Sequence, residues 1–232
     1  MVCDLGLADQ LVGRTGYCIH PREALEKIPK VGGTKTVNLA KIRTLAPTHV
    51  IVNVDENTRE AADALAEFVP NVIVTHPLGP LDNLALYRQI GCAFGRQREA
   101  EVLGSRFESM HEEILERKFK ERKILYLIWK DPWMTVSRDT YVSRTLALFG
   151  LHTLPASADA RYPKISLEES WLRDIETVLL SSEPYRFQER HLDEIKSALN
   201  RPARLIDGEM TSWYGSRAIR GLRYLADFSA SL

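Results

Sequence analysis

The stretch DGEMTSWYGSR, Asp207 to Arg217, carries two carboxylates, a Trp-Tyr pair, two glycines and an arginine between an apolar run and a helix-like tail. Indole and phenol rings offer flat apolar area with a polar edge, which suits stacking on a bulky ligand. Asp207, Glu209 and Arg217 offer charge-assisted hydrogen bonds beside those rings. Ser216 is placed to cap the last helix, whose free N–H groups favour an anion. Arg217 then sits in the first turn, against the helix dipole, so its task lies in pairing with Glu209 or with a ligand. The run reads as a binding lip holding Trp213 and Tyr214. The enzymatic alternative makes Glu209 or Asp207 a general base.

Other segments place similar chemistry near strand ends. YLIWKDPWMTVSRDT sets Trp129 and Trp133 around Pro132. Two such rings on one loop either stack on a flat ligand or pack into the core. The runs ADARYP (Ala158–Pro163) and SSEPYRF (Ser181–Phe187) add Arg161, Tyr185 and a single acid, Glu183. NVDENTRE brings Asp55 and Glu56 to the carboxyl end of a strand, where open α/β sheets hold ligands; the alternative is a helix start capped by Asn57 or Thr58. GRTGYCIHP offers Tyr17, Cys18 and His20. Cys18 and His20 are two soft-metal donors where three or four are needed, and a loop lining a cleft is the preferred reading. In VGGTKT, Thr34 separates Gly33 from Lys35, against a phosphate loop; Gly32 and Gly33 then serve a turn at positive φ, with Lys35 near the cleft.

No motif assembles a catalytic centre. Ser181 and Ser182 lie outside any G-x-S-x-G. His49, His76, His111, His152 and His191 are scattered without HExxH spacing. An enzyme is therefore not expected.

The elements that must position these groups follow from pattern. The chain has 232 residues, 44% hydrophobic, with Lys+Arg and Asp+Glu both at 31. That balance gives no bulk attraction to nucleic acid or an anionic membrane. Cys3, Cys18 and Cys92 form neither a disulfide framework nor a zinc spacing. No apolar run approaches the roughly 20 residues a spanning helix needs. The start, MVCDLGLADQL, shows no export leader.

Five apolar runs read as strands covered on both faces: Thr48–Val54, Asn71–His76, Lys123–Trp129, Glu176–Ser182 and Ala203–Asp207. Helical candidates alternate with them (NLAKIRTLA, TREAADALAEFV, LDNLALYRQIGCAF, TYVSRTLALFG, SLEESWLRD and QERHLDEIKSAL), which predicts an α/β fold with parallel sheets. Between the halves, Arg96–Lys123 keeps apolar residues on one helical face without proline. One continuous helix there would run on the order of 40 Å. The expected organisation is an amino lobe over 1–95, a linking helix over 96–122 and a carboxyl lobe over 123–232.

The order LGLADQLVGRTGYCIHP, VGGTKT, NLAKIRTLAPTHVIVNVDEN resembles the amino lobe of substrate-binding proteins of cobalamin and iron-siderophore ABC transporters. The later blocks LIWKDPWMTVSRDTYVSRTLALFG, RYPKISLEE, SSEPYRF and DGEMTSWYGSR are similar to the subgroup of helical-backbone metal receptors. The resemblance covers nearly the whole chain with its blocks in order. It implies two Rossmann-like lobes joined by one long backbone helix, with a metal chelate such as cobalamin, haem or a ferric siderophore held in the cleft between lobes. By the same resemblance the lining comes from Tyr17, Glu56, Trp129, Trp133, Tyr185, Asp207, Trp213 and Tyr214. The chemistry of the guanidinium makes Arg161 or Arg217 the partner of ligand carboxylates. Glu56 and Glu183 stand as counterparts of acids that engage arginines of the membrane permease. No covalent cofactor is implied.

Two departures from the family pattern stand out. Its members open with a strand and a Pro-Ser-x-Thr-Glu turn, whereas this chain starts at Met1-Val2-Cys3-Asp4, after that strand. A sheet lacking that member leaves an apolar edge that invites pairing with another chain or aggregation; either the start is truncated or misassigned, or a dimer through the amino lobe covers the edge. The family works in the periplasm, while the sequence shows no export signal, which keeps a cytoplasmic location open. The rival expectation is a cytosolic enzyme or cofactor chaperone acting on an anionic small molecule.

Overall fold

The computed structural model describes residues 1–156 and 159–232. Ala158, the first residue of the Ala158–Pro163 run, lies outside the described residues. The chain forms two compact units: Met1–His76 with Arg88–Ala100, and Pro77–Tyr87 with Glu101–Leu232.

The first unit contains α1 (Arg22–Leu25), α2 (Leu39–Leu45), β1 (His49–Asn53), α3 (Arg59–Ala66) and β2 (Asn71–Thr75). The two strands pair in parallel, from His49 opposite Asn71 to Asn53 opposite Thr75. Asn38 caps α2 by accepting from the Lys41 N–H, and Thr58 caps α3 by accepting from the Ala61 N–H, which satisfies first-turn donors that would otherwise have no partner. Val52 on β1 packs with Ile42, Leu65, Val69 and Val31 to make the core. Gly32 takes φ of 107°, and a Cβ there would lie 2.3 Å from the Thr36 carbonyl, so the expected glycine turn is present at that position.

The division between the units falls within α4 (Asp82–Ala93) and α5 (Gln97–Leu115). At 19 residues α5 is about 28 Å long, shorter than the helix expected over Arg96–Lys123. The amphipathic pattern persists to Phe119, yet non-local contacts end the helix first. Phe119 packs edge-on against Phe149 with centroids 5.2 Å apart, and the Arg122 N–H donates to the Gly150 carbonyl at 2.7 Å. Those contacts turn the chain into the next strand.

The second unit continues through β3 (Arg122–Leu127), α6 (Tyr141–Ala147), β4 (Leu151–Thr153), β5 (Thr177–Ser181), α7 (Arg190–Leu199), β6 (Ala203–Ile206), α8 (Gly208–Ser212) and α9 (Arg217–Ala230). Its sheet is parallel in the order β4-β3-β5-β6. The two central strands are buried almost throughout, as their continuous apolar sequence requires. Leu125, Leu127, Val178 and Leu180 meet Ile195 of α7 and Phe187 in one core. All five expected strands are present; β4, three residues long, was not expected. The SLEESWLRD segment forms only a short 3-10 turn, Ser170–Asp174. Among the described residues no helix is long and apolar enough to cross a membrane.

Strand order decides where chemistry can gather. The chain runs from β3 outward to β4, then crosses to β5 on the other side of β3. In open α/β sheets such a reversal leaves a crevice beyond the carboxyl ends of the two diverging strands, here β3 and β5.

Candidate functional site

Trp129, Trp133, Glu183, Tyr185, Asp207 and Glu209 lie just beyond the carboxyl ends of β3, β5 and β6, while Trp213 and Tyr214 follow α8 and Arg217 opens α9. At the reversal itself, Trp129 after β3 meets Tyr185 after β5, edge-on with centroids 5.7 Å apart. The Tyr185 N–H donates to the Ile128 carbonyl at 3.2 Å, which ties the two loops together. Trp129 remains 39% exposed, so its indole keeps a face available for stacking. Trp133 has a different environment: its ring stacks on Phe187 at 6.2 Å and 4° and packs against the sheet core. Lys130, paired with Glu194, reaches over the same ring at 5.4 Å. The two tryptophans thus split, one on the rim and one against the core.

Beyond β6, Asp207 caps α8 by accepting from the Met210 N–H. This five-residue helix was not expected, and the irregular lip is correspondingly shorter. Glu209 in its first turn forms an ion pair with Arg217 of α9, one of the two pairings anticipated from the position of Arg217 against the dipole. The Arg217 guanidinium also lies over the Trp213 ring, 5.5 Å from its centroid. Ser216 occupies the position before α9, but its side chain makes no capping hydrogen bond. Its backbone is already helical there, whereas a capping side chain needs an extended residue.

The loops after β5 and β6 are joined side by side. The Trp213 Nε1–H donates to Glu183 Oε2 at 2.7 Å, and the Gly208 N–H donates to Ser182 Oγ at 2.8 Å. Burial raises the Glu183 pKa above the usual carboxylate range. The Trp213 hydrogen bond and Arg217 oppose the rise, while Glu209 and Asp207 add to it. Beneath this rim, the Tyr126 hydroxyl meets Ser181 Oγ at 3.0 Å and Thr211 Oγ1 at 2.5 Å. Burial pushes the Tyr126 phenol up to about 12. Gly208 must stay small, because a Cβ there would lie 2.5 Å from Ser181 Oγ and 2.7 Å from the Glu183 nitrogen.

Arg161 donates to the Asp139 carbonyl at 3.2 Å, with its Nε 3.7 Å from the Asp139 carboxylate. It is held by the segment that leads into α6. Tyr214 packs edge-on against Tyr141 at 5.9 Å.

In the first unit, Asn53 at the end of β1 organises the acidic turn. Its Oδ1 accepts from the N–H groups of Asp55 and Glu56 at 2.9 and 3.3 Å. Asp55 lies 3.6 Å from His76, and Lys35 donates to the Asp55 carbonyl at 2.7 Å. Glu56 is exposed, as is Tyr17 at 65%. Cys18 is exposed with its Sγ 3.3 Å from Thr15 Oγ1. Among the described residues no group of three or more His, Cys, Asp or Glu is placed to hold a metal ion.

Sequence reasoning passed over the residues that brace the rim. Tyr126 and Thr211 look like ordinary strand and helix residues, Ser181 was weighed only as a nucleophile, and Asn83 and Tyr87 belong to a helix far away in sequence.

A family model described as "Periplasmic binding protein" matches residues 1–200 of this chain. The chain belongs to that family. It is 24% identical to the vitamin B12-binding protein of Photorhabdus laumondii subsp. laumondii over 182 residues, 76% of this chain and 64% of that protein. Thus the match spans less than two thirds of that relative's length. It is 23% identical to the vitamin B12-binding protein of Vibrio vulnificus, covering 98% of this chain and 85% of that one. Among solved structures, the periplasmic vitamin B12 binding protein BtuF of Vibrio cholerae superposes with a TM-score of 0.82 at 17% identity, over 99% of this chain and 92% of that one. The periplasmic heme binding protein HutB of Vibrio cholerae gives 0.78 at 21% identity, over 98% and 93%. These structures share the α/β fold with two lobes and parallel sheets.

Proposed function

We propose that this chain is the substrate-binding component of an ABC importer and captures a bulky metal chelate, with cobalamin, haem and ferric siderophores as the chelate classes. Family membership supports a receptor, and the named relatives bind vitamin B12 or heme. The observation that carries the reading is the rim beyond β3, β5 and β6. There Trp129, Tyr185, Trp213 and Tyr214 supply ring area, and Glu183, Glu209, Asp207 and Arg217 supply oriented charge. Aromatic area with a few fixed polar groups is what a site for a large, partly apolar ligand needs. Tyr17, Glu56 and Arg161 belong to the same proposal, as does Trp133 in support of the rim. Glu56 and Glu183 would meet basic residues of the permease, and the protein would work outside the cytoplasm. A dimer through the two-stranded sheet of the first unit remains part of this reading.

The enzymatic alternative would use Asp207 or Glu209 as a base. Asp207 caps α8 and Glu209 pairs with Arg217, and both engagements suit a framework better than a proton shuttle.

Titration of intrinsic tryptophan fluorescence with cyanocobalamin, hemin and a ferric hydroxamate siderophore, corrected for absorbance, tests the proposal. Saturable quenching by one of them, weakened in Trp213→Phe, is expected. No saturable quenching by any of the three overturns it.

A further inference from the structure

We infer that Asn83 and Tyr87 form a two-point backbone clamp that fixes the Trp213–Tyr214 lip, which makes them positioning residues for the binding rim. The inference rests on the proposed function for the role of the lip, while the clamp itself can be tested without a ligand.

The two residues stand one turn apart on α4, in the part that belongs to the second unit, so they share a helix face. Both are fully buried. Between them they take both backbone polar groups of one glycine. Asn83 Oδ1 accepts from the Gly215 N–H at 2.6 Å, and the Tyr87 hydroxyl donates to the Gly215 carbonyl at 2.9 Å. The remaining amide donor capacity of Asn83 is also assigned. Its Nδ2 donates to the Pro80 carbonyl at 2.7 Å and to the Tyr141 hydroxyl at 3.0 Å. Tyr141 in turn packs edge-on against Tyr214. One buried amide therefore reaches the lip by two routes, through the backbone of Gly215 and through the ring beside Tyr214.

A loop glycine ordinarily leaves its N–H and C=O to water. Here Gly215 is buried at φ of 76°, in a conformation that side chains disfavour. Its N–H would be stranded without Asn83, and a buried group without a partner is costly; its carbonyl, which also accepts from the Ala218 N–H at 3.0 Å, would lose one of two donors without Tyr87. The clamp thus selects one loop conformation out of many. Trp213 and Tyr214 immediately precede Gly215, so the ring positions are set before any ligand arrives. Rigid presentation of this kind reduces the ordering cost of binding and makes ligand choice depend on shape.

The test uses the full chain labelled with 5-fluorotryptophan, whose four indoles give four fluorine resonances, assigned by single Trp→Phe substitutions. In Asn83→Ala and in Tyr87→Phe, the Trp213 resonance should shift or broaden while that of Trp171 stays in place. In Asn83→Ala, Gly215 amide exchange should accelerate by about tenfold or more, as loss of its buried partner implies. Chelate affinity should fall further than in Ile195→Ala, a core substitution remote from the lip in sequence. An unchanged Trp213 resonance in either folded variant, or unchanged Gly215 exchange in folded Asn83→Ala, overturns the clamp. An affinity loss no larger than in the core control overturns its positioning role. Tyr87→Phe removes a single hydroxyl and keeps the ring, so it decides the matter if Asn83→Ala fails to fold. Absence of chelate binding by the unaltered protein defeats the proposed function alone, because the fluorine and exchange measurements still judge the clamp.

Discussion

The Trp213 indole N–H donates to the Glu183 carboxylate at 2.7 Å, joining the loop after β5 to the segment after α8. Thirty positions separate the two residues in sequence. The bond orients a ring proposed to stack on a ligand by means of an acid that burial has made harder to ionise. One contact therefore ties the shape of the rim to its charge.

Removing the donor should cost stability as well as ring area. In Trp213→Phe the aromatic body survives, but the half-buried Glu183 carboxylate loses its partner. An unsatisfied polar group of this kind costs ~1–3 kcal/mol. Urea unfolding followed by far-ultraviolet circular dichroism should show the midpoint falling at unchanged slope. An unshifted midpoint would mean that water replaces the indole at no cost.

The second expectation concerns pH. The Glu183 pKa is raised in the folded protein, so as pH climbs past the ordinary carboxylate range the unfolded chain releases this proton first. Between the unfolded and folded pKa values the native state binds more protons, and stability falls with rising pH. Below that window the group is protonated in both states and contributes no penalty. Glu183→Gln keeps an oxygen acceptor for the Trp213 indole and abolishes the titration. Its Tm relative to the unaltered protein should therefore rise from pH 4 to pH 7. A constant difference across that range would refute the burial effect.

Two glycines should respond to alanine with opposite sign. At Gly208 a new Cβ would meet Ser181 Oγ at 2.5 Å and the Glu183 nitrogen at 2.7 Å. Crowding of this sort costs ~1–3 kcal/mol, and here it would also push the Glu183 loop away from Trp213. At Gly104, inside α5, the nearest atom to a new Cβ is a Leu84 methyl at 3.8 Å. Alanine there should stabilise by up to ~1 kcal/mol through helix propensity. Thermal unfolding of both variants gives the comparison, and a destabilised Gly104→Ala would show that α5 is packed more tightly than its surroundings indicate.

How much of this was legible beforehand can be judged residue by residue. Pairing of Arg217 with Glu209 was one of two tasks, the other being a ligand, expected because a cation in a first turn conflicts with the helix dipole, a purely local argument. The strand runs were legible because a strand buried on both faces must be apolar along its length. β4 and α8 escaped notice because three and five residues are too few to display a period. The end of α5 was misplaced because Phe119 continues the helical pattern while its packing partner, Phe149, lies 30 positions on.

The amino-acid order by itself determined the alternation of strands and helices, the crowding of rings and charges near strand ends, and the absence of any catalytic motif. Those properties depend on neighbours a few positions apart, where periodicity and turn chemistry operate. Tertiary structure alone decided that Trp129 stays on the rim while Trp133 stacks on Phe187, and that Glu183 meets Trp213. It alone placed Asn83 against Gly215 across 132 positions of chain. Such pairings are set by strand order and by which buried polar groups must find partners, and no local pattern encodes them.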